Sequence, residues 1–195
     1  MTLRDFSPDF NKNFSRRINN LANKLGFKAT IMLSELAEQV ASPQAKRALN
    51  SALDFLRPHL VSMGLRISIL GRDQVEMTLP IKARNLDSKG RLLPGIQISA
   101  AVEAYKLLWQ RNAPEGIFDI QILSVNSRFM NLAHGDLKIR GELSEIGREG
   151  AWAELRKNKR SKHQSRMLVF DQEKQMVAEI EIEAELFLLE TLEWK

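Results

Sequence analysis

The chain has 195 residues and no cysteine. That excludes disulfides and any zinc site built on thiolates, and it fits a reducing compartment. Histidine is scarce too: three in all, none at ligand spacing, so no metal site is expected. No apolar run approaches the roughly 18 residues that a membrane-spanning helix needs. The opening residues, MTLRDFSPDFNKNF, lack the basic-then-apolar pattern of a secretory signal, so a cytoplasmic protein is expected. A Ser-His-Asp elbow, a phosphate-cradling glycine loop and internal repeats are all missing, and no cofactor is expected.

What remains is an ordinary globular composition, 44% hydrophobic and 27% charged, with a modest net charge of +5. The length allows one domain with an elaboration, or two small domains. The most organised stretch is NLDSKGRLLPGIQISAAVEAYKLLWQR, Asn85 to Arg111. A polar turn-forming loop leads into Pro94-Gly95, and apolar residues then recur at helical spacing through Ile96, Ala100, Ala101, Ala104, Tyr105, Leu107 and Leu108. Proline costs little in a first turn, whose amides lack partners anyway. The spacing predicts one helix over about 95–111. Its small alanines let another layer approach closely.

The residues before it divide into two styles. Phe10, Phe14, Ile18, Leu21 and Leu25 form an amphipathic stripe, Thr30 to Val40 is a second helical segment, and Ser42-Pro43 opens a third that Pro58 is expected to close. We read residues 1–57 as an N-terminal helical extension and 58–195 as the main domain. A three-helix DNA-binding module competes for the first segment, but no helix-turn-helix signature supports it, and nucleic acid is not an expected partner. From Leu65 onward the period is two. Leu65, Ile67 and Ile69, then Val75, Met77 and Leu79, read as strand, tight turn and strand. After a turn at Ala113–Gly116, Phe118, Ile120 and Ile122 begin a long strand with an interruption near Ser124–Asn126. Leu137, Ile139 and Leu143 form the next one, and GREGAWAELRKNK reads as a short helix.

The last third carries a charge ladder. Residues 156–166 hold six basic side chains and no acid, while Glu179 to Leu186 alternates acid and apolar strictly. A hairpin turning at Asp171–Lys174 would oppose Arg166 to Glu179, Gln164 to Glu181, Lys162 to Glu183 and Arg160 to Glu185. On the other face Ser165 would meet Ile180, and His163 would meet Ile182. Such pairs add only about 0.2–1 kcal/mol each, but a one-residue slip would bury carboxylates, so the ladder helps fix register. Self-pairing is also the simpler account of the basic cluster, which lacks the aromatic platforms of single-strand binders. Lys157 and Lys159 are left over as candidate phosphate contacts.

Two strands, a long buried helix and then further antiparallel strands: this order resembles the hotdog fold, an α+β arrangement in which a curled antiparallel sheet wraps one helix. The residues that carry the resemblance are Asn85…Gly90…Pro94-Gly95…Glu103, the turn His134-Gly135-Asp136-Leu137, and the closing Phe170-Asp171…Val177-Ala178-Glu179. The chain is most similar to the phenylacetyl-CoA-type thioesterase branch, and within it to poorly characterised members with an extra helix before the penultimate strand. The likeness covers about residues 55–189.

The resemblance implies hydrolysis of an acyl-CoA or acyl-carrier-protein thioester by a homodimer or dimer of dimers, joined edge to edge with the acyl site between copies. In that branch the helix opens on His-Gly-Gly and an acid follows two turns later. Gly95 falls on the first glycine, Ile96 on the second, Pro94 on the histidine, Glu103 on the acid and Asn85 on the loop asparagine. Amides at Gly95 and Ile96 would form an oxyanion hole, and Glu103 would act as base or nucleophile. Asn85 would orient water, and Ser99, one turn before Glu103, would hydrogen-bond it. The departures at Pro94 and Ile96 support a second reading, a non-catalytic acyl-binding or interaction module with a degenerate site. Glu103 also has a simple structural role open to it, pairing with Lys106 at i+3. His134 and His163 are weaker candidates, and His163 is expected on the sheet's inner face.

Overall fold

The computed structural model describes Asn50 and residues 58–112 and 118–188. The helices expected over the first 57 residues and the turn at 113–116 lie outside them. By its internal contacts the chain divides into two units, Met1–Leu56 and Arg57–Lys195, and the sheet with its helices belongs to the second.

In chain order the elements are α1 (Pro58–Met63), β1 (Arg66–Leu70), β2 (Gln74–Leu79), a single 3-10 turn (Ala83–Asn85), α2 (Pro94–Arg111), β3 (Phe118–Phe129), β4 (Leu137–Glu142), α3 (Glu145–Asn158), β5 (Arg160–Phe170) and β6 (Met176–Leu188). The end expected at Pro58 for the third helix concerns residues outside those described; Pro58–Met63 is itself helical. All six strands are antiparallel, in the order β1-β2-β4-β5-β6-β3.

The sheet curls around α2, which contacts every one of the six strands. Its buried face is Ala100, Ala101, Ala104, Tyr105, Leu107, Leu108 and Trp109, none more than 1% exposed. Facing into the same core are Met77 and Leu79 from β2, Leu137 and Ile139 from β4, Met167 and Val169 from β5, and Ile180, Ile182, Ala184 and Leu186 from β6. Alternation does this: residues two apart on a strand share a face, so each apolar set meets the helix while its charged neighbours turn outward. Where alternation fails, a bulge explains it. The pairing of β1 with β2 shifts between Ile67 and Ile69, and Ile69 is thereby exposed. A second irregularity, between Ile122 and Ser124, marks the interruption expected in β3, which nevertheless runs on to Phe129.

The register of the charged hairpin differs from expectation by two residues. Arg166 lies opposite Glu181, Gln164 opposite Glu183, Lys162 opposite Glu185 and Arg160 opposite Phe187. Inside, Ser165 meets Ile182 and His163 meets Ala184. The faces are those expected; the partners are not. Two features cause the offset. Gln175 joins the loop, so Phe170 pairs with Met176, and a further irregularity falls between Val169 and Phe170. Asp171 shapes that loop by accepting the Glu173 and Gln175 amides at 3.0 and 2.9 Å, with Lys174 in the left-handed region. The ladder still forms, partly on the diagonal: Arg166 reaches Glu179 at 2.7 Å and Glu181 at 3.2 Å, and Arg160 reaches Glu185 at 3.1 Å.

The helix read from GREGAWAELRKNK is α3, directly before the penultimate strand. Ser144 caps it, accepting the Gly147 amide at 3.1 Å, and Ala151, Trp152 and Leu155 bury its inner face. None of the described helices is long and apolar enough to cross a membrane.

Candidate active site at the start of the central helix

The loop between β2 and α2 is built around Asn85. Its side chain is fully buried, and Nδ2 donates to the main-chain oxygens of Met63 and Pro80, each at 2.9 Å. Its own carbonyl accepts the Leu93 amide at 2.9 Å, so one residue ties α1, the end of β2 and the entry to α2 together. Between Asn85 and Leu93 the chain closes on itself. Leu86 bridges Leu92, and Asp87 Oδ1 accepts the Lys89 and Arg91 amides at 2.8 and 2.9 Å. The Arg91 amide and guanidinium hold the Asp87 carboxyl below the usual carboxylate range. Gly90 turns at φ 75°, a value glycine adopts without strain.

This scaffold presents Leu93-Pro94-Gly95 as the first turn of α2. Pro94 has no N–H. The Ile96 and Gln97 amides both point at the Leu93 carbonyl, at 3.1 and 3.4 Å. The Gly95 N–H has no acceptor among the described residues. Gly95 is exposed, and among the described residues no atom beyond its chain neighbours and its own helix backbone stands within 4 Å of where a Cβ would be. Of the two amides expected to form an oxyanion hole, Gly95 is therefore open, while Ile96 is already engaged in tightening the turn. Ser99 was expected to bond Glu103. Its hydroxyl donates instead to the Gly95 carbonyl, 2.9 Å away, one turn back.

Glu103 is 8% exposed and sits at the margin of the buried face. Lys106 Nζ lies 3.8 Å from its Oε1, the i+3 pair anticipated from sequence, though on a helix far more buried than an ordinary exposed pair implies. Ile96 precedes Glu103 by seven residues and Ser99 by four, so all three share one flank of α2. Along the axis, the eight residues from Gly95 to Glu103 span about 12 Å.

Lys157 and Lys159 lie at the other end of the sheet. α3 runs into β5 at Arg160, opposite Phe187, where β3 also starts, with Phe118 opposite Leu188. α2 finishes near that end, its Asn112 side chain donating to the Arg72 carbonyl in the β1–β2 turn. Within one chain the fold thus gathers Asn85, Gly95 and Ile96, sets Glu103 two turns further on, and keeps both lysines apart from them. Sequence reasoning missed Gln97, which is 6% exposed in the first turn of α2 and whose Oε1 has no partner among the described residues. Its signal was there: an amide at i−3 and i−4 from Ala100 and Ala101, on the face that had to be buried. His134 sits in the turn before β4, and His163 faces inward from β5, as expected. No group of three or more metal-ligating side chains occurs among the described residues.

Comparison with known proteins gives fold-level likeness. No protein-family model matches the chain, and no curated protein matches it either. Solved structures do. A protein of unknown function from Pseudomonas aeruginosa, described as a probable thioesterase, is 17% identical, with a TM-score of 0.66 over 72% of this chain and 93% of that one. A protein of unknown function from Chlorobaculum tepidum is 14% identical, with a TM-score of 0.64 over 75% and 96%. A thioesterase from Haemophilus influenzae is 17% identical, with a TM-score of 0.61 over 76% and 94%. With its six-stranded antiparallel sheet curled around α2, this chain has the hotdog fold, the architecture it shares with these neighbours.

Proposed function

We propose that this protein hydrolyses an acyl thioester carried on coenzyme A or on an acyl-carrier protein. The observation that carries the reading is the open Gly95 amide at the start of a buried helix, with the nearly buried Glu103 carboxylate two turns along it. An unpartnered N–H at a helix N-terminus, backed by the dipole of eighteen aligned residues, is suited to a carbonyl oxygen that gains negative charge. Water adds to the thioester carbon, the C–S bond breaks, and the thiol leaves with the proton that Glu103 has taken from the water. Direct attack by the carboxylate, followed by hydrolysis of the mixed anhydride, uses the same placement.

The axial spacing of about 12 Å is too long for one carbonyl to touch both the Gly95 amide and the Glu103 of the same chain. The complete site therefore takes its amide from one copy and its carboxylate from another, in a homodimer or a dimer of dimers. β3, an edge strand with Leu123 and Phe129 each 40% exposed, is the surface for that pairing. Asn85 Oδ1, buried without a partner among the described residues, is an acceptor for the attacking water. Lys157 and Lys159 reach a carrier phosphate only if contributed by the second copy.

The second reading is an acyl-binding module without turnover. It is favoured by the engaged Ile96 amide and by Pro94, which together leave one donor where an oxyanion hole has two. Glu103→Ala assayed against a panel of acyl-CoA and acyl-carrier thioesters separates the two. Turnover by the wild type, lost in the variant with the fold and dimer intact, supports the hydrolase. Binding without turnover at any chain length by the wild type supports the module.

A further inference from the structure

On the flank of α2 away from Glu103, Tyr105 and Trp109 stand one turn apart, and His163 on β5 faces them. Trp109 meets His163 edge to face at 4.6 Å between ring centroids, and Tyr105 lies 6.4 Å from each of the other two. Trp152 from α3 closes the group against Trp109 at 5.2 Å, and Phe118 packs on Trp152 at 5.3 Å. Among the polar atoms of the cluster, three stand out: the Tyr105 hydroxyl, Trp109 Nε1 and His163 Nδ1. All three are buried, and none has a hydrogen-bond partner among the described residues. Tyr105 and Trp109 are both 0% exposed. Burial pushes the ionisation of Tyr105 well above the ordinary phenol range; the Trp109 N–H opposes this in part but does not meet hydrogen-bond geometry with the hydroxyl.

Three of the seven unpartnered buried side-chain polar atoms among the described residues fall in this one ring cluster. Folded proteins pair nearly all their buried polar side-chain atoms, with one another or with ordered water. The chemistry of the three is also complementary to one kind of guest. The indole N–H only donates, the phenol donates or accepts, and one nitrogen of a neutral imidazole accepts.

We infer that Tyr105, Trp109 and His163 enclose an internal site for a hydroxyl-type oxygen, one that accepts from the indole and donates onward to the phenol or the imidazole. The oxygen belongs either to a buried water or to the hydroxyl group of a small organic ligand. Two to four polar partners are what an interior water needs. The site lies on the opposite side of α2 from Glu103 and does not depend on the thioester reading.

Two experiments on the full chain test it. Tyr105→Phe removes the hydroxyl and keeps the ring. With the site occupied, the variant melts about 3 °C lower than wild type. With the site dry, deleting an unpaired buried hydroxyl leaves the melting temperature unchanged or raises it, which overturns the inference. A high-resolution crystal structure of the wild type then identifies the source. An isolated peak within hydrogen-bond distance of the three atoms assigns water. Extended density, with a matching mass increment in native mass spectrometry, assigns an organic hydroxyl. Closed packing with no density among the three atoms overturns the site, whatever becomes of thioester hydrolysis.

Discussion

Asn85 and Met63 are joined by a 2.9 Å hydrogen bond from a fully buried side-chain amide to a main-chain carbonyl, across 22 residues of sequence. The second amide proton goes to Pro80. Asn85→Ala strands both carbonyls, so it should destabilise the domain by about 2–5 kcal/mol. Asn85→Asp keeps the size but removes the donors and should cost at least as much. Urea denaturation checks both. A loss below about 1 kcal/mol would mean that the loop holds its shape without this residue.

Gly95→Ala separates folding from chemistry. A methyl there meets no other part of the described chain within 4 Å, and alanine is the better helix former, so stability should rise by up to about 1 kcal/mol. If a thioester approaches this amide, the same methyl stands in its way, and kcat/KM should fall roughly tenfold or more. Steady-state kinetics beside a melting curve read the two effects independently. Unchanged turnover would move the carbonyl site elsewhere.

Lys159 ends α3 in the left-handed region at φ 63°, its amide bonded to the Leu155 carbonyl. Glycine adopts that conformation without a Cβ penalty, so Lys159→Gly should stabilise the protein by about 0.5–1 kcal/mol. A role for its ammonium in holding a phosphate predicts a higher KM for the same variant. Stabilisation with KM unchanged would assign this lysine to the surface alone.

Acid should weaken the fold in two steps. Burial holds His163 below its usual value of 6.5, so the unfolded chain takes up a proton that the folded one refuses. Its contribution is full above pH 6.5 and is lost as pH falls through the lower folded value. Glu76 follows at lower pH. Burial alone would raise its value, but hydrogen bonds from Arg140 at 2.7 Å and from Lys138 outweigh that and bring it below 4.5. Its contribution is present above 4.5 and fades as the carboxylate protonates. Melting curves from pH 7.5 down to about 3 should show both, and His163→Gln should flatten the first. An equal decline in wild type and variant would assign that window to another group.

The sequence made strand faces and the buried helix readable because both follow from periodicity alone. Leu137 and Ile139, or Ile180 and Ile182, could occupy only one face without stranding charge in the core. Partner identity was harder. Arg166 was matched to Glu179 and sits opposite Glu181, because loop length and a bulge at Val169–Phe170 are settled by local backbone geometry that alternation does not encode. Site residues divide in the same way. Gly95 and Glu103 were named by the resemblance to the thioesterase branch, whereas the use of the Ile96 amide by Leu93 and of the Ser99 hydroxyl by Gly95 depends on how the first turn winds. Gln97 was legible in principle, since an amide on an alanine face has to be explained. The three orphan atoms of Tyr105, Trp109 and His163 were not, because they come from α2 and β5, elements that meet only once the sheet has curled.

The placement of β3 has one more consequence. Twelve residues long and, among the described residues, laced to β6 on one margin only, it leaves alternate main-chain amides and carbonyls of a lone copy turned outward, a template for the proposed pairing and for lateral growth alike. Asp119 and Arg128 are the charges that interrupt its otherwise uncharged run, and they act as gatekeepers on that margin. Neutralising both would convert a boundary into an invitation, and the preparation should then be lost to precipitation during refolding before any change in melting temperature is seen.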